Sequence, residues 1–174
     1  MRRRREKIEI SGDEEQLVSF KLGKETFAVS VSQVREIVKV HDITRIPKMP
    51  HYVEGVMNLR GQVTTVIDLK KRFNISTSDD QGRTAQSRII VAEIGDNQLG
   101  IVVDSIEDVM RVSRSTISPP PKTLSMGVDT RFLTGICKTP DKLIMLLDLN
   151  NIIIADADPN RIVPTQEPEK GEVA

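Results

Sequence analysis

The sequence has very little of what most metal, redox and nucleic-acid sites are built from. It contains one cysteine, no tryptophan and two histidines among 174 residues, and aromatic residues make up 3% of the chain. The lone Cys137 excludes an intramolecular disulfide. His41 and His51 are ten residues apart with Cys137 remote from both, which is not a metal-site spacing. Few aromatic rings are present on which bases could stack, so we expect no metal, no cofactor and no nucleic-acid partner.

An excess of one charge and a long apolar run are also missing. Lys plus Arg and Asp plus Glu each number 25, so the formal net charge is zero and no overall field favours nucleic acid or an anionic membrane. The longest apolar segment, LIMLLDLNNIII, is interrupted by polar residues and is shorter than the roughly 18 residues that span a bilayer. The basic start MRRRREKIEI is not followed by the apolar run of a secretory signal. These absences predict a cytoplasmic protein without direct membrane insertion.

What the chain does contain is a series of short segments rich in β-branched residues. LVSFKL and TFAVSV are joined by GKE, as in a β-hairpin, and RIIVAEI, NQLGIVVDSI and EDVMRV continue the pattern. SQVREIVKV is predicted to begin with a helical turn at Ser32 and to continue as a strand. Residues 1–14 and 157–174 are rich in charge and poor in apolar side chains. They are predicted to be disordered, with the folded unit at 15–156.

The chain also repeats itself. YVEGVMNLRGQVTTVIDL, at 52–69, aligns without a gap on FLTGICKTPDKLIMLLDL, at 132–149, and ten positions match in character, including Gly55 with Gly135 and Val63 with Leu143. FAVSVSQVREIVKV, at 27–40, aligns likewise on LGIVVDSIEDVMRV, at 99–112. We expect the matching apolar positions to serve the core. Each copy supplies about five short strands and little helix, which predicts an all-β fold of two pseudo-symmetric, intertwined β-barrels with a groove between them.

The two copies differ at the bend inside this repeat. Copy one has Asn58, Leu59, Arg60 and Gly61 where copy two has KTPD at 138–141, so a barrel closes at this point without an arginine. A guanidinium carries a planar fork of donors that suits carboxylates or carbonyls of another protein. An ordinary solvated hairpin arginine explains the residue equally well. The spacing leaves both interpretations of Arg60 open.

Asp68 and Asp148 occupy equivalent places in the two copies, which raises the alternative of a two-lobed enzyme with a shared carboxylate pair. The catalytic loops of such enzymes continue from Asp with Thr or Ser and then Gly, whereas the triplets here are Asp-Leu-Lys and Asp-Leu-Asn. Each Asp directly precedes a short helix-compatible run, where its carboxylate can accept backbone N–H bonds. The sequence therefore favours two helix caps over catalysis.

VREI, TRIPKMPHYVEGVMNLRGQVTTVIDL, GIVVDSIEDVMRV, SPPP, LTGI and LLDL together resemble the CheW family of chemotaxis coupling proteins, from about residue 15 to 156. The resemblance implies two SH3-like five-stranded barrels without catalytic activity. It also implies an adaptor that binds the regulatory domain of the histidine kinase CheA and the cytoplasmic helical hairpin tip of chemoreceptors, with self-association in receptor arrays as a further expectation. The alternative is a CheW-like module of a larger two-component signalling protein.

The resemblance also implies which residues contact the partners, and it assigns them to kinase and receptor together without dividing them. They come from two motifs, and they are Val34, Glu36 and Ile37 in VREI and Gly55, Asn58, Leu59, Arg60 and Gly61 in EGVMNLRG. Gly55 has a second explanation, because its repeat mate Gly135 is retained, which indicates a role in folding.

Overall fold

The computed structural model describes residues 13–75, 83–120 and 130–154. The predicted disordered ends lie almost wholly outside these ranges, so their disorder stays a prediction. Within the described ranges the chain forms eleven strands, two short helices and three single turns of 3-10 helix. None of the helices described is long and apolar enough to cross a membrane.

The strands follow the predicted segments closely. They are β1 (Glu14–Leu22), β2 (Glu25–Ser30), β3 (Val34–Lys39), β4 (Val53–Leu59), β5 (Gln62–Asp68), β6 (Arg88–Ile94), β7 (Asn97–Val103), β8 (Ser105–Ser113), β9 (Ile117–Ser118), β10 (Leu133–Lys138) and β11 (Leu143–Leu147). The helices are α1 (Leu69–Arg72) and α2 (Leu149–Ile154), and the 3-10 turns are Val31–Gln33, Arg114–Thr116 and Thr130–Phe132. The helical turn predicted at Ser32 is confirmed, and β3 follows it directly.

The two sheets exchange hairpins between the copies of the repeat. One sheet has six strands in the order β8-β1-β2-β11-β10-β9, and the other has five in the order β3-β6-β7-β5-β4. The six-stranded sheet takes β1 and β2 from copy one and its other four strands from copy two. The five-stranded sheet takes β6 and β7 from copy two and its other three strands from copy one. The joins are the parallel pairs of β2 with β11 and of β5 with β7. The copies seen in the sequence therefore do not coincide with the barrels in space.

Both barrels nevertheless follow one plan. The sixth strand of the larger sheet, β9, has only two residues and pairs with β10. Its counterpart in the smaller sheet is a single bridge between Thr44 and Val56 on β4. Each barrel is thus closed by a short segment, which pairs with β10 in one barrel and with the equivalent strand β4 in the other.

Apolar residues fill both faces of each sheet. In β6, Ile89 and Val91 face a small cluster enclosed by the five-stranded sheet, whereas Ile90 and Ala92 face a large core shared with the six-stranded sheet. Strands buried on both faces are near-continuous apolar runs, as RIIVAEI is. The six-stranded sheet encloses the equivalent small cluster, formed by Leu17, Ala28, Cys137, Ile144 and Leu146. The shared core joins the two barrels into one unit.

Repeat mates also meet where the barrels join. The guanidinium of Arg72 lies between the rings of Tyr52 and Phe132, 4.6 Å from each centroid. One of its amino groups donates a hydrogen bond to the carbonyl of Ile152 at 3.2 Å. Tyr52 is equivalent to Phe132 in the repeat and Arg72 to Ile152, so these contacts lie at the pseudo-two-fold axis. Cation–π contacts to two rings make Arg72 a link between the barrels.

Candidate protein-binding site

The bend singled out in the sequence is a two-residue β-hairpin. Leu59 pairs with Gln62, so Arg60 and Gly61 are its central residues, and their φ angles are 55° and 83°. Two positive φ values are the signature of a type I′ turn, in which Asn-Gly is the preferred pair. Asn58 supports the turn, because its Oδ1 accepts a hydrogen bond from Gly61 N at 2.9 Å. Arginine at the first central position is strained, since residues with a Cβ adopt this conformation at a cost.

The side chain of Arg60 crosses the seam of the barrel. Its Nη2 lies 2.9 Å from Oε1 of Glu36. Glu36 is on β3 and Arg60 follows β4, and these two strands are the edges of the five-stranded sheet. The ion pair therefore brings the VREI and NLRG motifs together from positions 24 residues apart in the chain. Because the Arg60 side chain is 78% exposed and that of Glu36 only 19%, the guanidinium presents most of its surface to solvent.

The eight predicted residues divide by burial. Ile37, Asn58, Arg60 and Gly61 are exposed, Val34 and Glu36 are partly buried, and Gly55 and Leu59 are buried. Leu59 packs with Met57 in the small cluster of the five-stranded sheet. Its side chain therefore serves the barrel core and has little surface to offer another protein.

Gly55 is retained in both copies for a steric reason. Its φ is +144°, and a Cβ at this position would lie 2.0 Å from the carbonyl oxygen of Thr44. A Cβ at Gly135 would lie 2.8 Å from the carbonyl oxygen of Ser118. In both barrels the closing segment crosses directly over this glycine, and only a residue without a side chain allows the close approach. The structure thus gives Gly55 a role in barrel closure.

The prediction that Val63 serves the core is wrong. Val63 matches Leu143 in the repeat, but it is 67% exposed and lies directly across the hairpin from Asn58. Leu143 packs against the shared core, whereas β5 extends past the core at its first residues. The alternation of Val63, Thr65 and Ile67 could not reveal this difference, because all three point to one face of the strand.

We call the group of residues around the hairpin the seam surface, and it consists of the partly buried Glu36 and the exposed Ile37, Asn58, Arg60, Gly61 and Val63. It combines a guanidinium and an amide with two apolar side chains on opposite sides of the hairpin. Arginine is among the residues that are enriched at protein–protein interfaces. The seam surface carries no nucleophile.

The carboxylates of the enzyme alternative are helix caps, as the sequence favoured. Asp68 Oδ1 accepts hydrogen bonds from Lys70 N at 2.9 Å and Lys71 N at 3.3 Å. Asp148 Oδ1 accepts one from Asn151 N at 3.4 Å. Burial raises the pKa of the Asp68 carboxyl above its ordinary value, although the backbone N–H of Lys71 acts in the opposite direction. Both caps are local structural contacts.

An ion cluster around a buried carboxylate lies next to the first cap. Glu54 is 9% exposed, and its carboxylate contacts Lys71 Nζ at 2.9 Å and Arg83 Nη2 at 2.8 Å. Burial alone would raise the pKa of Glu54, but the hydrogen bonds from Arg83 and Lys71 outweigh it, so the pKa is held below its ordinary value. Among the residues described, no group of three or more His, Cys, Asp or Glu is placed to hold a metal ion.

Two intertwined SH3-like barrels are the fold of a class of non-catalytic adaptor proteins. The family model described as CheW-like domain matches residues 16–157. The chain therefore belongs to the CheW family, and it is a non-catalytic scaffold protein of chemotaxis.

Individual relatives agree with this assignment. The chain is 31% identical to the chemotaxis protein CheW of Treponema pallidum, over 86% of this chain and 88% of the relative. It is 37% identical to the chemotaxis protein CheW of Bacillus subtilis, over 83% of this chain and 90% of the relative. The crystal structure of the scaffolding protein TtCheW from Thermoanaerobacter tengcongensis superimposes with a TM-score of 0.74 at 39% identity, covering 80% of this chain and 87% of that chain.

Proposed function

We propose that this chain couples chemoreceptors to the histidine kinase CheA by binding both, in the cytoplasm at receptor arrays. The observation that carries the proposal is the strained, exposed Arg60 at the seam. A type I′ turn closes more easily with Asn than with Arg, and the second copy closes its barrel without an arginine. Strain that the fold does not require indicates a residue kept for another molecule.

The composition of the seam surface fits one of the two partners in particular. The tip of a chemoreceptor is an amphipathic helical hairpin, which presents an apolar ridge with polar residues beside it. Ile37 and Val63 are exposed apolar side chains that can contact such a ridge, and the guanidinium of Arg60 can bind a carboxylate or carbonyl that fixes its register. We therefore assign the seam surface to the receptor hairpin and expect the kinase to bind elsewhere on the chain.

Coupling by such an adaptor requires binding energy alone. A receptor state that alters one contact shifts the kinase equilibrium only by the difference in binding free energy between the two states. Many adaptors held in one array act at a high effective concentration, so individually weak contacts suffice.

The test is binding of the purified chain to a receptor hairpin and, separately, to the CheA regulatory domain, by calorimetry. We expect Arg60→Ala to weaken binding of the hairpin at least tenfold, or about 1.4 kcal/mol, and to leave kinase binding unchanged. The matched control is Lys142→Ala. Lys142 also joins a hairpin to a carboxylate on the terminal strand of a sheet, because its Nζ lies 2.8 Å from Glu107 on β8 of the six-stranded sheet. Lys142→Ala should leave hairpin binding unchanged.

A charge exchange separates recognition from barrel closure. The double variant Glu36→Arg/Arg60→Glu keeps an ion pair across the seam but reverses its polarity. It should melt like the wild type and still fail to bind the hairpin. Wild-type affinity in the folded double variant would show that Arg60 serves only the seam, and failure of the wild type to bind either partner would refute the adaptor proposal.

A further inference from the structure

One end of the six-stranded barrel holds an apolar cavity. Its volume is about 280 Å³, and the apolar side chains that line it are Leu17, Ile117, Leu146 and Leu147. The three leucines are at most 6% exposed. Leu17 and Leu146 also belong to the small cluster that this sheet encloses, so the cavity reaches into the interior of the barrel.

The polar residues that line the cavity carry no net charge. Nη2 of Arg114 lies 2.9 Å from Oε1 of Glu15, and the Ser30 hydroxyl donates a hydrogen bond to Oε2 of the same carboxylate at 2.8 Å. The other two polar residues of the lining are Gln33 and Thr134, whose amide and hydroxyl can both donate and accept hydrogen bonds. Because Thr134 is exposed and Gln33 is partly buried, these two groups are accessible from solvent.

The repeat relates this cavity to a different one in the five-stranded barrel. Glu15 and Ser30 correspond to Ser87 and Val102 at the offset of 72, and these two mates line a cavity of about 160 Å³. Most of its other lining residues are charged, and they are Asp68, Lys70, Lys71, Arg83 and Asp104. The same place in the fold therefore contains an ion cluster in one barrel and a larger, apolar cavity in the other.

Two differences between the copies account for this contrast. The offset of 80 relates Thr134 to Glu54 and Asn151 to Lys71. The carboxylate of Glu54 lies 2.9 Å from Nζ of Lys71, whereas threonine and asparagine at the equivalent positions are too short to form such a pair. Cavities lower the stability of a fold in proportion to their volume. Since the other copy fills the equivalent place with side chains, the larger cavity is not required for folding.

The size and the charges of the cavity define the ligand that it would take. An apolar cavity of about 150 Å³ binds benzene, so one of about 280 Å³ admits a ring system roughly twice as large. A ligand carboxylate would lie near Glu15 and a ligand ammonium near Arg114, and either charge would have to break the existing ion pair or be buried without a partner. An uncharged polar group avoids this cost.

We propose that the six-stranded barrel binds an uncharged amphipathic small molecule in this cavity. Its apolar part contacts Leu17, Ile117 and Leu146, and its hydroxyl or amide group forms hydrogen bonds with Gln33 or Thr134. The seam surface lies on the other barrel and contains none of these residues, so the proposal does not depend on receptor or kinase binding.

A set of three matched probes tests the cavity and its charge preference. Naphthalenemethanol is uncharged at neutral pH, whereas naphthoic acid and naphthylmethylamine carry a negative and a positive charge on the same ring system. In NMR titrations we expect naphthalenemethanol to cause saturable shifts of the backbone amides of Leu17, Ser30 and Leu146. Each charged probe should bind at least tenfold more weakly. Equal affinities for the three probes, or the absence of saturable shifts at these amides, would overturn the proposal.

A double variant tests the position of the ligand. Thr134→Glu/Asn151→Lys introduces the residues that form the Glu54–Lys71 pair of the other barrel, so it should close the cavity and weaken binding of naphthalenemethanol at least tenfold. The matched control is Asn150→Lys, because Asn150 is exposed on the same helix and lies outside the lining of the cavity. The control should bind the probe like the wild type. Circular dichroism melts verify folding, and a folded double variant with wild-type affinity would exclude this cavity as the site.

Discussion

Replacing Arg60 by Asn should separate folding from recognition at the hairpin. The φ of Arg60 is 55°, and the left-handed conformation costs a residue with a Cβ about 1–2 kcal/mol, whereas Asn adopts it readily. The substitution also removes the ion pair with Glu36, in which the Arg60 side chain is 78% exposed, and exposed pairs contribute about 0–1 kcal/mol. We therefore expect the free energy of unfolding to rise by about 0–2 kcal/mol.

Urea denaturation and thermal melting measure this change, and calorimetry with a receptor hairpin measures recognition. A gain of about 1 kcal/mol raises the melting temperature of a chain of this size by about 2–4 °C. Binding of the hairpin should fall at least tenfold. The matched control is Lys48→Asn, because Lys48 is exposed and has a φ of 67°. Lys48→Asn should raise the free energy of unfolding to a similar degree and leave hairpin binding unchanged.

Two results would refute the reasoning. If Arg60→Asn lowers the free energy of unfolding by more than about 1 kcal/mol, the pair with Glu36 holds the barrel edges together. Its contribution to stability then offsets the backbone strain at Arg60. If the variant is stable and binds the hairpin with unchanged affinity, Arg60 is a solvated turn residue and the partner contacts another part of the barrel.

Four further substitutions test other contacts. Gly55→Ala should lower the free energy of unfolding, measured by urea denaturation, by about 3 kcal/mol or more, because it combines a positive φ with a clash against the Thr44 carbonyl. Gly135→Ala should lower it less, because the φ of Gly135 is not in the restricted range. Asp68→Ala removes a helix cap, so it should lower the free energy of unfolding by about 1 kcal/mol and leave partner binding intact. A loss of hairpin or kinase binding with unchanged stability would contradict the capping role. The pKa of Glu54 is lowered in the folded state, so the unfolded chain takes up the proton first and the wild type loses stability as the pH falls through the ordinary glutamate range towards this lowered pKa. Glu54→Gln should be less stable at neutral pH and lack this acid-dependent loss, measured by unfolding from neutral pH to about pH 3; an unchanged acid limb would contradict the assignment.

Much of the fold could be predicted because its determinants are local. The first hairpin, the turn before β3 and the capping role of Asp68 and Asp148 each depend on residues close together in the chain. The repeat added the pseudo-symmetry, since two segments with the same apolar positions pack in the same way. Local pattern and internal comparison thus predicted the elements and their equivalence.

The partners of the strands could not be predicted in the same way. The hairpin of β1 and β2 has the same alternation whether it completes its own copy or the other one, so the pattern does not show which hairpins the intertwined barrels exchange. The contact of Arg60 with Glu36 depends on how the barrel closes, and the exposure of Val63 depends on where the shared core ends. These features are set by long-range packing, which periodicity does not encode.

The exchange of hairpins also has a consequence for the order in which the chain folds during synthesis. Every strand of the five-stranded sheet has been made once the ribosome has passed Val103, whereas the six-stranded sheet waits for β11, which ends at Leu147. Chains begin to fold as they emerge, in N-terminal to C-terminal order. The barrel with the seam surface can therefore close first, while the hairpin made earliest, with Phe20 and Phe27, stays exposed until the last strands arrive. Nascent chains stalled between these two points should be the ones most dependent on chaperones.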